Sequence, residues 1–497
     1  MITVSLRNAP QVSLTATFQI INNLYFHPLA RFPGPFLYRA TRITFVYKLL
    51  RGSLPFDVLH LHEKYGPVVR IAPNELSFVD PEAWKDIYGH RTGPRHHGQD
   101  ELPKYDIFYR PKNVPPNVST EDRDNHSMLR RQLSHGFSDR CMREQEPIIG
   151  SYVDLLVRRL RERCVELVEK GMQTTPKPMD MTAWYNWTTF DIIGDLAFGE
   201  PFGSLENAGY HPWVAAVNAT MLQFGTGLAM RYLGLGGWIE PLVRSRRKNR
   251  KAHMDYTRDK LTRRMQLNVE RPDLIEGLLK KKDDWVSDLD RIQINANVLI
   301  IAGSETTATL LAGATYLLLK NPEAMKKLTA EVRSTFRSDD EMTLTSVGKL
   351  GYMKACLDEA LRRYPPVPMG QPRVVFKGGT TIAGEFVPEK TVVSVWQWAA
   401  NHHAHMWKDP LGYRPERFLQ DPQFADDKLD ALQPFAVGPR NCIGRNLANS
   451  EMRLILARLI LNFDMRLVDE NVDWMDQNIY MFWEKKPLNV YLTPVRE

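Results

Sequence analysis

The chain has 497 residues, of which 25% are charged and 43% are hydrophobic, and it contains four cysteines. This composition is typical of a globular protein with a large core, and it argues against a disulfide framework and for a reducing compartment. The net charge of +7 is compatible with an anionic membrane surface, an acidic protein partner or nucleic acid. We expect no nucleic-acid binding, because the densest basic run, 244–251, has no interleaved aromatic residues.

The first residues predict a short leader. Residues 1–25 lack the roughly 20 apolar residues of a membrane span, because Arg7, Asn8 and Pro10 interrupt their apolar character. The Pro-Gly-Pro turn at 33–35 then marks entry into the globular body. Since no linker, repeat or low-complexity tract follows, we expect residues 26–497 to form a single domain.

Most of the body has the periodicity of amphipathic helices. Helical patterns cover 126–137, 145–170, 247–270 and 322–337, and the first of these places His126 and Arg130 on one helix face. Strand patterns are few, with hairpins predicted over 66–79 and 380–395. The predicted fold class is therefore mainly α with small β-sheets.

The most apolar long segment, 298–319, is either a membrane span or a buried central helix. Glu305 and four threonines lie within it, and an unpaired acid in lipid costs several kcal/mol, which favours the buried helix. Thr306 can turn its hydroxyl onto a carbonyl of the preceding turn and loosen the helix. An acid beside a hydroxyl in a dry interior suggests a proton-delivery pair. The alternative, a helix kink with a hydrogen-bonded core glutamate, stays open.

Two charged motifs precede the C-terminal region. Glu359 and Arg362 are three residues apart on a predicted helix, and Arg417 follows in the loop sequence Pro-Glu-Arg-Phe. Such a pair is usually exposed and contributes a few tenths of a kcal/mol. Arg417 could instead join Glu359 and Arg362 in a buried cluster.

The sequence FAVGPRNCIG at 435–444 differs in kind from these. Its five fixed positions arise by chance with odds on the order of one in ten thousand or less at average residue usage. Cys442 precedes a predicted helix beginning at Ile443, whose N-terminus can stabilise a thiolate. Glycines allow close approach of a planar ligand, an aromatic ring can pack beneath it, and an arginine can pair with an anionic group. These residues are Phe435, Gly438, Arg440 and Gly444.

Together these motifs resemble the cytochrome P450 family in order and approximate spacing. The resemblance rests on FxxGxRxCxG at 435–444, Glu-x-x-Arg at 359–362, AGSET at 302–306 and PERF at 415–418. It runs from about Asn23 to the C-terminus. The segments 23–35 and 399–418 look most like fungal members that tailor secondary metabolites. The resemblance implies the cytochrome P450 fold and a haem cofactor with an axial thiolate.

The resemblance also implies roles for individual residues. Cys442 would be the proximal ligand of the haem iron. Glu305 and Thr306 would relay protons during dioxygen activation. Glu359, Arg362 and Arg417 would form a buried ionic cluster that holds the haem-side core.

The haem propionates need cationic or N–H donors. By resemblance these are His126, Arg130, Arg373 and Arg440. Many family members carry Trp where His126 stands, and the pH-dependent charge of His makes this contact the least secure of the four. The alternative for Arg373 is an ordinary solvated loop arginine.

The implied activity is a haem-thiolate monooxygenase that uses dioxygen and electrons from a separate NADPH-cytochrome P450 reductase. The expected substrate is a bulky apolar small molecule, such as a terpenoid, polyketide or alkaloid, enclosed by 91–118, 221–234, 367–371 and 479–487. A basic surface including Arg130, Arg131, Arg440 and Arg445 would steer the reductase.

Other activities and the location stay open at this point. Oxidative coupling, desaturation or rearrangement without oxygen insertion is the alternative chemistry, and a non-catalytic haem or gas sensor is a more distant one. The cytosolic face of the endoplasmic reticulum membrane is the location expected for the family.

Overall fold

The computed structural model describes residues 9–91, 101–110, 114–169, 177–211, 224–236, 244–267, 271–279 and 288–495. The helices are α1 (Ala9–Ile21), α2 (Phe36–Ala40), α3 (Ile43–Leu50), α4 (Leu54–Tyr65), α5 (Pro81–Tyr88), α6 (Asp106–Tyr109), α7 (Arg123–Leu133), α8 (Asp139–Glu169), α9 (Met181–Phe198), α10 (Ser204–Asn207), α11 (Arg244–Gln266), α12 (Glu276–Leu279), α13 (Leu289–Lys320), α14 (Pro322–Thr335), α15 (Leu344–Val347), α16 (Gly351–Arg363), α17 (Gln397–His402) and α18 (Arg445–Asn462). The strands are β1 (Val68–Ala72), β2 (Glu75–Phe78), β3 (Met179–Asp180), β4 (Arg373–Val374), β5 (Thr380–Ile382), β6 (Glu385–Val387), β7 (Val392–Val395), β8 (Phe463–Leu467) and β9 (Asn489–Pro494).

The helix α13 is the centre of the core. It packs along α9 and also contacts α16 and α18. Its side chains are apolar or small on almost every face, which is the pattern of a helix enclosed by others. By length and composition α13 could cross a membrane, but most of its apolar window is buried inside this fold. The segment is therefore a core helix here, as its internal Glu305 predicts.

Small sheets lie beside this helical core. The predicted hairpin at 66–79 is confirmed, because β1 and β2 pair antiparallel. The prediction for 380–395 is correct only in its first half, where β5 pairs with β6. The second half, β7, leaves the hairpin and pairs parallel with β2 and antiparallel with β4. Strand β7 consists of three valines and one serine, and all four residues are buried. A strand that is buried on both faces suits the interior of the larger sheet.

The buried histidine His62 links α4 to this sheet. Its Nε2 lies 2.7 Å from Ser77 Oγ, and its Nδ1 lies 2.9 Å from the carbonyl oxygen of Gly66. The side chain is fully buried. Burial lowers the pKa of His62 to about 3, with a smaller opposing effect from the Gly66 hydrogen bond. The folded chain therefore keeps this ring neutral at a pH where the unfolded chain protonates it.

His62→Gln should weaken the pH dependence of stability. Between pH 6.5 and about 3 the unfolded chain binds a proton at His62 that the folded chain does not, so stability falls as the pH falls. The substitution should reduce that slope by up to about 1.4 kcal/mol per pH unit. Urea unfolding at pH 5 and pH 7 measures it. His60→Gln on the same helix is the control, because that side chain is exposed, and an equal effect of both variants would contradict the assignment.

Candidate active site

The loop before α18 is closed tightly around Cys442. The backbone N–H of Cys442 donates to the carbonyl of Phe435 at 2.8 Å, and the N–H of Asn441 donates to Gly438 at 3.2 Å. From α7, Arg130 donates to the carbonyl of Asn441 at 2.6 Å and also to its side-chain oxygen. The helix begins at Arg445, two residues later than predicted. Cys442 therefore has a fixed backbone just before a helix N-terminus.

The two glycines of this loop differ in what surrounds them. Gly438 has φ +77°, and a Cβ there would lie 1.9 Å from the carbonyl oxygen of Tyr88, so only glycine fits. A Cβ at Gly444 would meet Phe137 at 3.6 Å, an ordinary contact. The close approach of Tyr88 at the end of α5 therefore explains why residue 438 is a glycine. No neighbour in the described protein requires a glycine at position 444. A flat ligand beside Gly444 stays a prediction.

The Cys442 side chain is accessible in this structure, yet protein surrounds it closely enough to affect its ionisation. Desolvation raises the pKa of the thiol, while the N–H of Gly444 and the charges of Arg130 and Arg445 act in the opposite direction. Burial therefore outweighs the helix N-terminus and the two arginines in setting this pKa. A cationic metal centre at the sulfur would supply further positive charge and favour the thiolate, so the donor fits an iron ligand.

Positive charge is concentrated beside this loop. Arg440 forms an ion pair with Glu101, with Nη2 and Oε1 2.7 Å apart, and also donates to the carbonyl of Glu121 at 3.0 Å. The charge and hydrogen bond of Arg440 lower the pKa of Glu101, although burial opposes the shift. Arg373 lies close enough to Lys104 for its charge to help lower the pKa of that ammonium group.

Arg373 is buried at the start of β4. Its Nη1 donates to the hydroxyl of Tyr109 at 3.1 Å, and its guanidinium lies over the rings of Tyr88 and Tyr109 at 5.3 and 5.6 Å. The alternative of a solvated loop arginine is contradicted, because only 5% of the residue is exposed. Because the groups around the Arg373 guanidinium are neutral aromatic rings and a hydroxyl, its other N–H groups can donate to an anionic ligand.

His126 is neutral in this environment. Burial and the charges of Arg440, Lys104 and Arg130 together lower its pKa to about 4, against a smaller effect of Glu101. A neutral imidazole offers one ring N–H, as an indole does.

The net charge of this cluster shows whether a haem would fit beside it. Desolvation and the neighbouring cations also lower the pKa of Lys104 well below its usual value. In the described part of the chain, Glu101 is the carboxylate that forms an ion pair within this cluster. Buried positive charge in excess of its partners favours binding of an anionic group. The two propionates of a haem match that requirement, so the residues present fit the cofactor.

On α13, Glu305 and Thr306 are neighbours with different partners. The Thr306 hydroxyl donates to the carbonyl of Ala302 at 2.6 Å, and Ala302 and Thr306 are both partly accessible. Glu305 is buried and forms an ion pair with Lys485 at 2.6 Å. A Cβ at Gly303 would meet Ile193 of α9 at 2.7 Å, so this glycine serves helix packing. The structure shows no hydrogen bond between Glu305 and Thr306.

The remaining predicted residues meet in one buried cluster. Arg362 donates from Nε and Nη2 to the two oxygens of Glu359, both at 2.7 Å, and Arg417 lies 3.1 Å from the same carboxylate. The Arg362 guanidinium also donates to the carbonyls of Asn401, Pro410 and Gly412. None of the three charged side chains is exposed, so the alternative of a surface pair is contradicted.

Several partners of the predicted residues had no motif to reveal them. Asp427 forms an ion pair with Arg417, and Trp407 lies against both arginines of the ionic cluster. Glu101, Lys104 and Lys485 were likewise not singled out. Glu101 and Lys485 lie 339 and 180 residues from their partners in the chain, whereas Asp427 lies 10 residues from Arg417. The excess of cations over acids in the motifs was the only signal for Asp427.

The expected substrate walls are partly visible. Phe108 on α6 packs edge-on to Phe224, with ring centroids 6.1 Å apart. Trp483 stacks on Tyr364, with ring centroids 4.2 Å apart. Residues 92–100, 111–113 and 221–223 of the predicted walls lie outside the described residues.

Comparison with known proteins gives the family. The cytochrome P450 family model matches residues 36–491. The chain belongs to the cytochrome P450 family. It is 49% identical over 477 residues to "Cytochrome P450 monooxygenase tpeC" of Talaromyces stipitatus, covering 96% of this chain and 92% of the relative. It is 47% identical over 483 residues to "Cytochrome P450 monooxygenase prhB" of Penicillium brasilianum, covering 96% and 95%.

A third fungal relative carries a name that describes its reaction. "Averantin hydroxylase" of Dothistroma septosporum is 42% identical over 491 residues, covering 97% of this chain and 89% of the relative. The predicted P450 resemblance, the mainly α fold and the enzyme class, an oxidoreductase of the cytochrome P450 monooxygenases, are confirmed. This family binds haem through a cysteine thiolate.

Glu359→Gln should destabilise this P450 by about 3–5 kcal/mol, because it leaves two buried arginines with a single remaining carboxylate. Asp358→Asn is the matched control on the same helix. Its ion pair with Lys354 is partly exposed, so it should cost less than about 1 kcal/mol. Chemical unfolding of both variants measures the difference, and similar losses would contradict a special role of burial.

Proposed function

We propose that the protein is a haem-thiolate monooxygenase that oxidises a bulky apolar small molecule of fungal secondary metabolism, with Cys442 as the iron ligand. The observation that carries the proposal is Cys442 in a closed loop beside an excess of buried cations. The relative named averantin hydroxylase supports hydroxylation as the reaction type. In this proposal residues 26–497 form one haem domain.

The proposed cofactor contacts divide between the two ends of the site. Cys442 binds the iron, with Phe435, Gly438 and Gly444 shaping its loop. His126, Arg130, Arg373 and Arg440 donate to the propionates. Arg373 is buried and donates from Nη1 to Tyr109, whereas two donors of Arg130 are held by Asn441 and the guanidinium of Arg440 is held by Glu101 and Glu121.

When bound, haem supplies the activation of dioxygen, with one oxygen atom entering the substrate and the other leaving as water. The two electrons come from NADPH through a separate reductase, and the two protons come from solvent. Thr306 is accessible and can pass a proton through its hydroxyl, and Glu305 is the acid beside it. Both residues are proposed as catalytic on this basis.

The proposed reductase-docking surface includes only two of the four arginines that the sequence predicts for it. Arg131 and Arg445 are exposed, so they can steer an acidic flavoprotein. Arg440 is turned inward to Glu101, and Arg130 is held on Asn441. We therefore assign the latter two to the haem side only.

The elements from α1 to α3 support the proposed location on the endoplasmic reticulum membrane. They contact one another and expose large apolar side chains, a combination that suits insertion into a lipid surface. These residues are Leu14, Phe18, Tyr25, Phe26, Phe36, Leu37, Ile43 and Tyr47.

Cys442→Ala should abolish the characteristic absorption band of the reduced, carbon-monoxide-bound protein, because the axial thiolate is lost. Cys141→Ala, at a buried cysteine of α8, should keep the band. An unchanged band in the Cys442 variant would refute the ligand assignment.

With an identified substrate, oxygen from labelled dioxygen should appear in the product. Absence of the label from the product would indicate coupling or desaturation instead.

Phe26→Ser with Ile43→Ser should lower binding to phosphatidylcholine–phosphatidylinositol vesicles at least about tenfold, since two apolar anchors are removed. The two residues are 76% and 65% exposed. The control pair, Phe386→Ser with Leu411→Ser, alters residues that are 53% and 65% exposed elsewhere on the surface. Vesicle co-sedimentation measures binding, and equal losses in the two double variants would reject this docking surface.

A further inference from the structure

A buried ammonium group is joined to the acid of α13. Lys485 Nζ lies 2.6 Å from Glu305 Oε1 and 2.8 Å from the hydroxyl of Thr309, one helical turn further along. The two charged side chains are 7% and 11% exposed. Lys485 comes from the segment between β8 and β9, 180 residues away in the chain. Among the described residues, Lys485 is the cation that forms an ion pair with Glu305.

The loop that carries Lys485 is anchored on both sides. Before it, Trp483 donates from its indole to the carbonyl of Pro365 at 2.8 Å and stacks on Tyr364. After it, the N–H of Leu488 donates to Asp180 at 3.0 Å. The ammonium group is therefore delivered to Glu305 by a fixed backbone and not by a free surface side chain.

Stability alone does not explain this pair. Replacing a buried ion pair by well-packed apolar residues of similar volume is often neutral or stabilising, because desolvation offsets the attraction. The surroundings offer such packing, since Tyr364, Trp474 and Trp483 form an aromatic group next to this loop. The place of the pair, one residue before Thr306, points to a role in the site.

The other titratable groups here do not replace Lys485. Asp180 faces Lys485, and Tyr210 and Tyr364 face Glu305. Burial raises the pKa of Tyr210 to about 12 and that of Tyr364 well above its usual value, so both phenols are neutral near pH 7. Thr309 and Gln477 add neutral hydrogen bonds on α13 and on Tyr364.

We propose that Lys485 is a positioning residue that holds the Glu305 carboxylate in place beside Thr306, so that protons reach the site through Glu305 in order. This inference rests on the proposed monooxygenase function. It assigns Lys485 no contact with substrate or haem. Since Lys485 acts through the Glu305 carboxylate, its effect must vanish when residue 305 no longer carries that carboxylate.

The dependence of Lys485 on Glu305 can be tested by measuring peroxide release. The holoenzyme, a NADPH-cytochrome P450 reductase, NADPH and dioxygen are combined, and hydrogen peroxide released per NADPH consumed is measured. Two electrons and two protons convert dioxygen to peroxide, whereas four of each convert it to water, so mistimed protons raise the peroxide share. Lys485→Met should raise that share at least about threefold, and Lys485→Arg should stay within about twofold of wild type.

The double variant separates a positioning role from a merely structural one. Glu305→Gln with Lys485→Met should release no more peroxide per NADPH than Glu305→Gln alone. Lys260→Met is the matched control, because Lys260 makes an ion pair of 2.8 Å with Glu200 and its side chain is 4% exposed, while its charged neighbours are Glu200, Arg263 and Asp191 and not Glu305. It should lower stability and leave the peroxide share unchanged.

A second measurement is independent of turnover. In chemical unfolding, the unfolding constants of the two single variants and the double variant should show a coupling of roughly tenfold or more, since each single change strands a buried charge. A wild-type peroxide share in Lys485→Met, additive effects with Glu305→Gln, or no coupling would overturn the inference. Loss of the carbon-monoxide band from the wild type would instead overturn the proposed function and this inference with it.

Discussion

A charge placed inside a protein needs a partner of opposite sign or a dense set of hydrogen bonds, and this requirement orders the interior of this P450. The cluster of Glu359, Arg362 and Arg417 meets it internally, with Asp427 and backbone carbonyls as further acceptors. It therefore fixes the loop of 408–427 to α16 without any ligand. Breaking it costs stability and does not remove a chemical group from the site.

Around the cysteine loop the same requirement is not met by protein alone. Arg373 and the side chain of Arg440 are buried close to the half-buried Lys104, and Glu101 offsets one charge of this group. His126 remains neutral in response, and the Cys442 thiol has a raised pKa despite its helix N-terminus. Each of these features is costly in the protein by itself. They become favourable together when one ligand brings anionic groups to the arginines and a metal cation to the sulfur.

Sequence reasoning found what local spacing encodes. The helix face of His126 and Arg130, the hairpin of β1 and β2, and the buried helix around Glu305 follow from periodicity within about 20 residues. The partners of those residues did not follow. Glu101 and Lys485 lie 339 and 180 residues from their ion-pair partners, and Asp427, although only 10 residues from Arg417, lies in a segment without a regular helix or strand pattern. Strand β7 likewise left its predicted hairpin for β2, a distant part of the chain. None of these contacts follows a helical or strand period.

The pair of Glu305 and Lys485 connects two parts of the site that sequence motifs treat separately. Lys485 lies two residues after the last residue of the apolar turn 479–483, Trp483, which packs on Tyr364 just after α16. A change in that turn that alters the fit of an apolar substrate also moves the ammonium group, because only Glu484 separates it from Trp483. Under the proposed function, substrate specificity and proton delivery are therefore not independent in this chain. A variant with an altered turn must keep Glu305 paired with another cation or change the environment of that carboxylate as well.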